Sequence, residues 1–128
     1  MVKLLLIDDD KHVCEYVKRF FEKRKCNVLV SNSGTEGLAA FKKEQPDIII
    51  LDIKMPDIDG LEVLKQIKKI DPKSKVIMIT IAYNDENKQK AKEYGADDFI
   101  QKPIDAEYLE GTVALKVAML TQERKQSQ

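Results

Sequence analysis

Five short apolar runs alternate along this chain with five stretches whose apolar residues recur at helical spacing, and that alternation most restricts its fold. The runs are Lys3–Ile7, Asn27–Ser31, Ile48–Leu51, Lys75–Ile79 and Asp98–Ile100. Ile48-Ile49-Ile50-Leu51 is apolar at every position rather than at alternate ones, the mark of a strand covered on both faces. Strands alternating with helices predict an α/β domain, a parallel sheet with helices on both faces. Right-handed crossovers and short connections leave few threadings, and the five-stranded doubly wound order 2-1-3-4-5 is the expected one.

The helices carry their own start and stop signals. Asp10 is placed to cap a first helix in which Val13, Val17, Phe20 and Phe21 share a face, ending at about Arg24. Ser33-Gly34-Thr35-Glu36 matches a capping box, with Leu38 and Phe41 inward behind it. Asp59-Gly60-Leu61-Glu62 opens a third helix with Leu61, Leu64 and Ile67 inward, stopped at Asp71-Pro72. Asn84-Asp85 opens a fourth, ending near Tyr94 at Gly95. Its low hydrophobicity predicts weak packing and mobility. Asp105 caps a last helix reaching about Arg124. That helix has two apolar stripes: Leu109, Val113, Val117 and Leu120, and then Tyr108, Leu115 and Met119. Packing on the sheet accounts for one. The other is a half-buried edge or a surface for a partner, including a second copy of the chain.

At 128 residues the chain fits one domain, taken as 1–122, with 123–128 as a polar tail or the start of a linker. Its 22 basic and 22 acidic residues cancel, which removes the electrostatic argument for nucleic acid or an anionic membrane as partner. No apolar run has the length of a membrane span, and Val2 to Ile7 is too short for a signal peptide. Cys14 and Cys26 have neither metal-ligand nor disulfide-framework spacing, so buried or half-buried thiols in a reducing cytoplasm are expected.

In this topology the ends of the first, third, fourth and fifth strands are neighbours, carrying Asp8 and Asp9, Asp52, Thr80 and Lys102. Ligands of open α/β sheets bind outside those ends. Each residue has a plainer reading alone: Asp8, Asp9 and Asp52 as turn or cap acids, Thr80 as a strand residue, Lys102 as a surface lysine. Gathered together they need explaining, because two carboxylates at ~4 Å repel by on the order of 4 kcal/mol at an effective dielectric of 20. A protonated acid, a salt bridge or a divalent cation would offset this. Mg²⁺ suits carboxylates combined with a phosphate oxygen, and a remaining Asp can act as a nucleophile toward phosphorus. Lys102 and Thr80 would then meet phosphoryl oxygens, a set sufficient for phosphoryl transfer.

These residues, together with Leu6-Ile7-Asp8-Asp9-Asp10, Asp47 through Pro56 with Gly60, Val76 through Thr80, Gly95 through Phe99 and Lys102-Pro103, resemble the receiver domain of two-component response regulators, the family of the bacterial chemotaxis regulator. The resemblance covers about Lys3 to Leu120 and implies a flavodoxin-like fold. It implies that Asp52 accepts a phosphoryl group from a phosphohistidine on a sensor histidine kinase or phosphotransfer protein. Mg²⁺ would be held by Asp9, Asp52 and the Lys54 backbone carbonyl, with Asp8 acting through water. Thr80 and Lys102 would hold phosphoryl oxygens, Phe99 would be an aromatic switch, and the Lys102-Pro103 bond would be cis. Phosphorylation would then change the surface of the fourth helix, fifth strand and last helix, passed to a downstream output domain or protein.

The chain departs from the family pattern at Ile81, where a small residue is usual directly after the Thr and Ala82 comes one place later. A branched side chain there would slow phosphoryl transfer and hydrolysis; packed sideways, it would change little. Lys54 occupies another position that tunes phosphate lifetime in the family. Two other functions fit less of the sequence. Asp8-Asp9-Asp10 mimics the start of a haloacid-dehalogenase-type phosphatase, but there is no room for a cap domain. A receiver that binds partners without being phosphorylated would leave the acid set and Lys102 unexplained.

Overall fold

The computed structural model describes residues 1–126. Five parallel strands, β1 (Lys3–Ile7), β2 (Asn27–Ser31), β3 (Ile48–Leu51), β4 (Val76–Thr80) and β5 (Asp98–Gln101), form one sheet in the order β2-β1-β3-β4-β5. The expected order is therefore the observed one. β1, β3 and β4 are the inner strands, and every residue of β3 and β4 is buried. Four helices connect the strands: α1 (Lys11–Lys23), α2 (Gly34–Glu44), α3 (Gly60–Ile70) and α4 (Asp85–Glu93). The last helix, α5 (residues 106–126), follows β5.

Successive strand residues face opposite ways, so the sheet divides the apolar residues into two cores. Leu4, Leu6, Ile48, Ile50, Ile77 and Ile79 meet α1 and α5 on one side. Leu5, Ile7, Ile49, Leu51, Val76 and Met78 meet α2, α3 and Ala91 of α4 on the other. The caps are those the sequence offers: Asp10 accepts from the His12 and Val13 N–H groups, Ser33 from Glu36, Asp59 from Leu61 and Asn84 from Asn87. The Glu36 carboxylate reaches back to Asn32 N–H at 3.3 Å rather than to the cap residue itself. Gly95 has φ +94°, the left-handed turn after α4 that favours glycine. Ala91 is the one buried residue of α4, in keeping with the weak packing expected of it.

The structure departs from expectation at β4, β5 and the last helix. β4 includes Thr80 and β5 includes Gln101, because the Thr80 and Gln101 backbones pair in the ladder. Helix α5 has three consecutive segments: α-helical Ala106–Tyr108, a π-helical turn Leu109–Val113, and α-helical Ala114–Gln126. Residues four apart drift about 40° around an ideal α-helix. The wider π turn reduces that drift, and Leu109, Val113 and Val117 all remain buried against the sheet. Tyr108, Leu115 and Met119 are exposed. Residues 123–126 of the expected polar tail are helical, and residues 127–128 lie outside the described residues. Among the described residues no helix is long and apolar enough to cross a membrane.

Candidate phosphoryl-transfer site

The apolar strands set their polar ends side by side. Asp8 follows β1, and its N–H donates to the Ser31 carbonyl at 3.0 Å. Its own carbonyl accepts from Asn32 Nδ2 at 3.0 Å and from Cys14 Sγ at 3.3 Å. Asp52 follows β3 and is tied to β1 by its N–H to the Ile7 carbonyl at 3.0 Å. Lys102 follows β5 and is tied to β4 by its N–H to the Thr80 carbonyl at 3.0 Å. The Lys102-Pro103 bond is cis, as the resemblance implies.

From these positions the Lys102 ammonium reaches between two buried acids, 2.6 Å from Asp8 Oδ2 and 3.0 Å from Asp52 Oδ2. The second Asp8 oxygen accepts from Asp10 N–H at 2.9 Å, and Asp52 Oδ1 accepts from Ile53 N–H at 2.7 Å. Asp9 is exposed beside them, and Asp8, Asp9 and Asp52 each offer an oxygen within 4.8 Å of the others. One ammonium, paired with Asp8 and Asp52, thus stands at a cluster of three carboxylates. Burial, aided by the Asp52 charge and opposed by Lys102 and the Asp10 N–H, pushes the Asp8 carboxyl up from 3.8 to about 6. Burial also works against the Lys102 ammonium, but its bonds to Asp8 and Asp52 outweigh that and hold its pKa above the ordinary lysine value. A cluster of hard oxygen donors short of positive charge fits a divalent cation such as Mg²⁺.

The other expected residues surround this centre. Thr80 is fully buried at the end of β4, and its Oγ1 accepts from Ala82 N–H at 3.0 Å. Phe99 on β5 is half-buried, with its ring centroid 5.1 Å from that of Tyr83. The Lys54 side chain is exposed in the loop between β3 and α3. Ile81 is 73% exposed and, with Val13, Tyr16, Val17, Pro103 and Ile104, lines an apolar hollow of about 280 Å³ between α1 and the loop after β5.

The roles of several supporting residues escaped sequence reading. Asp57 accepts from the Gly34 and Thr35 N–H groups at 3.0 and 2.8 Å, pinning the β3–α3 loop to the start of α2. Hydrogen bonding from Thr35 holds its carboxyl well below the usual range. A Cβ on Gly60 would lie 1.8 Å from the Asp52 carbonyl oxygen, so only glycine lets α3 begin there. Cys14, expected simply as a buried thiol, also supports the Asp8 carbonyl, and burial pushes its pKa up to about 12. Asn32 and Asp57 sit in short polar loops where many acids and amides are surface residues; no local signal separates them.

Comparison with known proteins agrees with this geometry. The family model described as response regulator receiver domain matches residues 4–114. The chain is 39% identical over 103 residues to the probable C4-dicarboxylate response regulator DctR of Priestia megaterium, covering 79% of this chain and 45% of that protein. It is 32% identical over 111 residues to sporulation initiation phosphotransferase F of Bacillus subtilis, covering 87% of this chain and 90% of that one. It spans half or less of the length of several transcriptional-regulator relatives, such as 42% of TrcR of Mycobacterium tuberculosis. A receiver domain from Clostridium thermocellum superimposes with a TM-score of 0.90 at 30% identity, covering the whole of both chains. The Thermotoga maritima response regulator TrrA, solved in complex with Mg²⁺-BeF, superimposes with a TM-score of 0.81 at 28% identity over 94% of this chain and 99% of that one. With the sheet order, the acids at the strand ends and the bridging lysine, these matches mean that the chain belongs to the receiver domain family of two-component response regulators.

Proposed function

We propose that this receiver accepts a phosphoryl group on Asp52 from a phosphohistidine of a sensor kinase or phosphotransfer protein, in a Mg²⁺-dependent reaction. The observation that carries the reading is the Lys102 bridge to Asp8 and Asp52 within a cluster of three carboxylates. An Asp52 oxygen attacks phosphorus; a P–O bond forms as the P–N bond to the donor imidazole breaks. The electron pair stays on the imidazole nitrogen, which takes up a proton. Asp9 and Asp52, with the Lys54 carbonyl and with Asp8 acting through water, would hold Mg²⁺, which when bound supplies positive charge to the phosphoryl oxygens. Lys102 stabilises that charge from the other side, and Thr80 turns its hydroxyl to a phosphoryl oxygen.

The acyl phosphate places new charge and acceptors beside Lys102 and Thr80, which shifts an existing equilibrium toward the arrangement that binds them better. The surface of α4, β5 and α5 then carries the signal to an output domain or protein. The exposed Ile81 beside the site tunes the rates of phosphorylation and hydrolysis.

The test is the intact mass of the protein after incubation with Mg²⁺ and acetyl phosphate or phosphoramidate. A phosphoryl adduct is expected on the wild type and not on Asp52→Asn, nor in the presence of chelator. No adduct on wild type or Ile81→Ala from either donor would overturn this reading in favour of a binding module that works without phosphorylation.

A further inference from the structure

Asn32 lies outside the acid cluster, yet it holds the backbone on which two of the acids stand. It directly follows β2 and precedes Ser33, the residue that caps α2, so its own side-chain amide is not spent on the cap. Its Nδ2 instead crosses to the turn after β1, where it donates to the Asp8 carbonyl at 3.0 Å. The Cys14 thiol, on α1, donates to the same carbonyl at 3.3 Å, and Asn32 Nδ2 lies 3.6 Å from its sulfur. The Asp8 N–H in turn donates to the Ser31 carbonyl at 3.0 Å. Two successive residues at the end of edge strand β2 thus grip the Asp8 backbone, Ser31 at its N–H and Asn32 at its carbonyl.

We infer that Asn32 is a positioning residue for the divalent cation, acting through the peptide that joins Asp8 to Asp9. The inference rests on the proposed Mg²⁺ site and deepens it. The Asp9 carboxylate is exposed, so its place is set by the backbone that carries it. A carbonyl oxygen has two lone pairs. Here an amide and a thiol fill both, which fixes the plane of the Asp8–Asp9 peptide. Without a cation the three carboxylates repel, and the repulsion acts to swing the exposed Asp9 outward. That swing turns the Asp8–Asp9 peptide and breaks the Asn32 bond. Asn32 therefore keeps an Asp9 oxygen close to those of Asp8 and Asp52 before an ion arrives, as groups behind a metal ligand do. The thiol is the weaker of the two donors, so Asn32 carries most of the restraint.

The experiment is a Mg²⁺ titration of ¹⁵N-labelled protein followed by ¹H–¹⁵N NMR. Phosphoryl uptake from acetyl phosphate and phosphoramidate is measured by intact mass over the same Mg²⁺ range. Asn32→Ala and Asn32→Leu both remove the amide donor, and the second keeps the bulk. Each should raise the Mg²⁺ dissociation constant about fivefold, the worth of one hydrogen bond. The Mg²⁺ needed for half-maximal uptake should rise in step, while the rate at saturating Mg²⁺ stays within about twofold of wild type. Val28→Ala, which opens a cavity under the same strand, should lower stability and leave the Mg²⁺ dissociation constant where it is in wild type. A dissociation constant unchanged in both Asn32 variants, or raised as much by Val28→Ala, would overturn the role of Asn32 while leaving the phosphoacceptor reading intact. A wild type that binds no Mg²⁺ would overturn the metal site and the role of Asn32 together. A wild type that binds Mg²⁺ but takes up no phosphoryl group from either donor would overturn the phosphoacceptor reading alone, and the titration would still decide the role of Asn32.

Discussion

At Lys102 a single ammonium stands between two buried carboxylates, 94 residues from Asp8 and 50 from Asp52 along the chain. Removing one partner of a buried, hydrogen-bonded pair costs more than the pair itself contributes, because charge is left without compensation. Lys102→Met is therefore expected to lose about 3 kcal/mol of stability in metal-free buffer, read from urea unfolding, and to slow phosphoryl uptake at least tenfold. Asp8 sets a pH dependence at the same scale. Its carboxyl is raised from 3.8 to about 6 in the folded protein, so between those values the native state binds more protons than the unfolded chain. The stability it contributes is full below pH 3.8 and is lost as pH rises through about 6. Asp8→Asn should flatten that part of the metal-free stability profile and be more stable than wild type at pH 7, while binding Mg²⁺ more weakly. A wild-type profile without the decline, or one that Asp8→Asn leaves unchanged, would contradict the assignment.

Two glycines in helices show how element geometry decides what a residue is for. Gly60 begins α3 where a Cβ would strike the Asp52 carbonyl, whereas a Cβ on Gly111 in the π turn of α5 would meet nothing within 4 Å. Gly60→Ala is expected to cost about 3 kcal/mol as α3 is pushed from the loop that carries Asp52. Gly111→Ala should gain up to about 1 kcal/mol from helix propensity alone. Thermal unfolding of the two variants beside wild type separates these outcomes, and equal effects would refute the contrast. The elements themselves were largely legible in the sequence. The Ile48–Leu51 run, the Asp10, Ser33, Asp59 and Asn84 caps and the Gly95 stop each act within a few residues, where periodicity and capping chemistry are written. The π turn was not legible, because Leu109, Val113 and Val117 satisfy an ordinary helical stripe.

For the whole molecule, the proposed Mg²⁺ site would couple metal binding to folding. Three carboxylates that approach within 4.8 Å only in the native state would bind a divalent cation far better there than in the unfolded chain. Mg²⁺ at a hundred times its dissociation constant should therefore add about 2.7 kcal/mol of stability. The urea midpoint should rise with Mg²⁺ and fall back with chelator, and Asp9→Asn should reduce the gain. An unchanged midpoint at saturating Mg²⁺ would contradict it. By itself the sequence determined the number and order of strands and helices, the placing of Asp8, Asp9, Asp52, Thr80 and Lys102 at strand ends, and, through resemblance, the family. Those are set by local patterning, because burial on a strand or helix repeats with a short period. Only the tertiary structure decided that Lys102 bridges Asp8 and Asp52, that Asp57 ties its loop to α2, that Gly60 closes on Asp52, and that Tyr83 packs on Phe99. Charge compensation and ring packing act through space over a few ångströms, between residues that the chain holds apart until the sheet assembles.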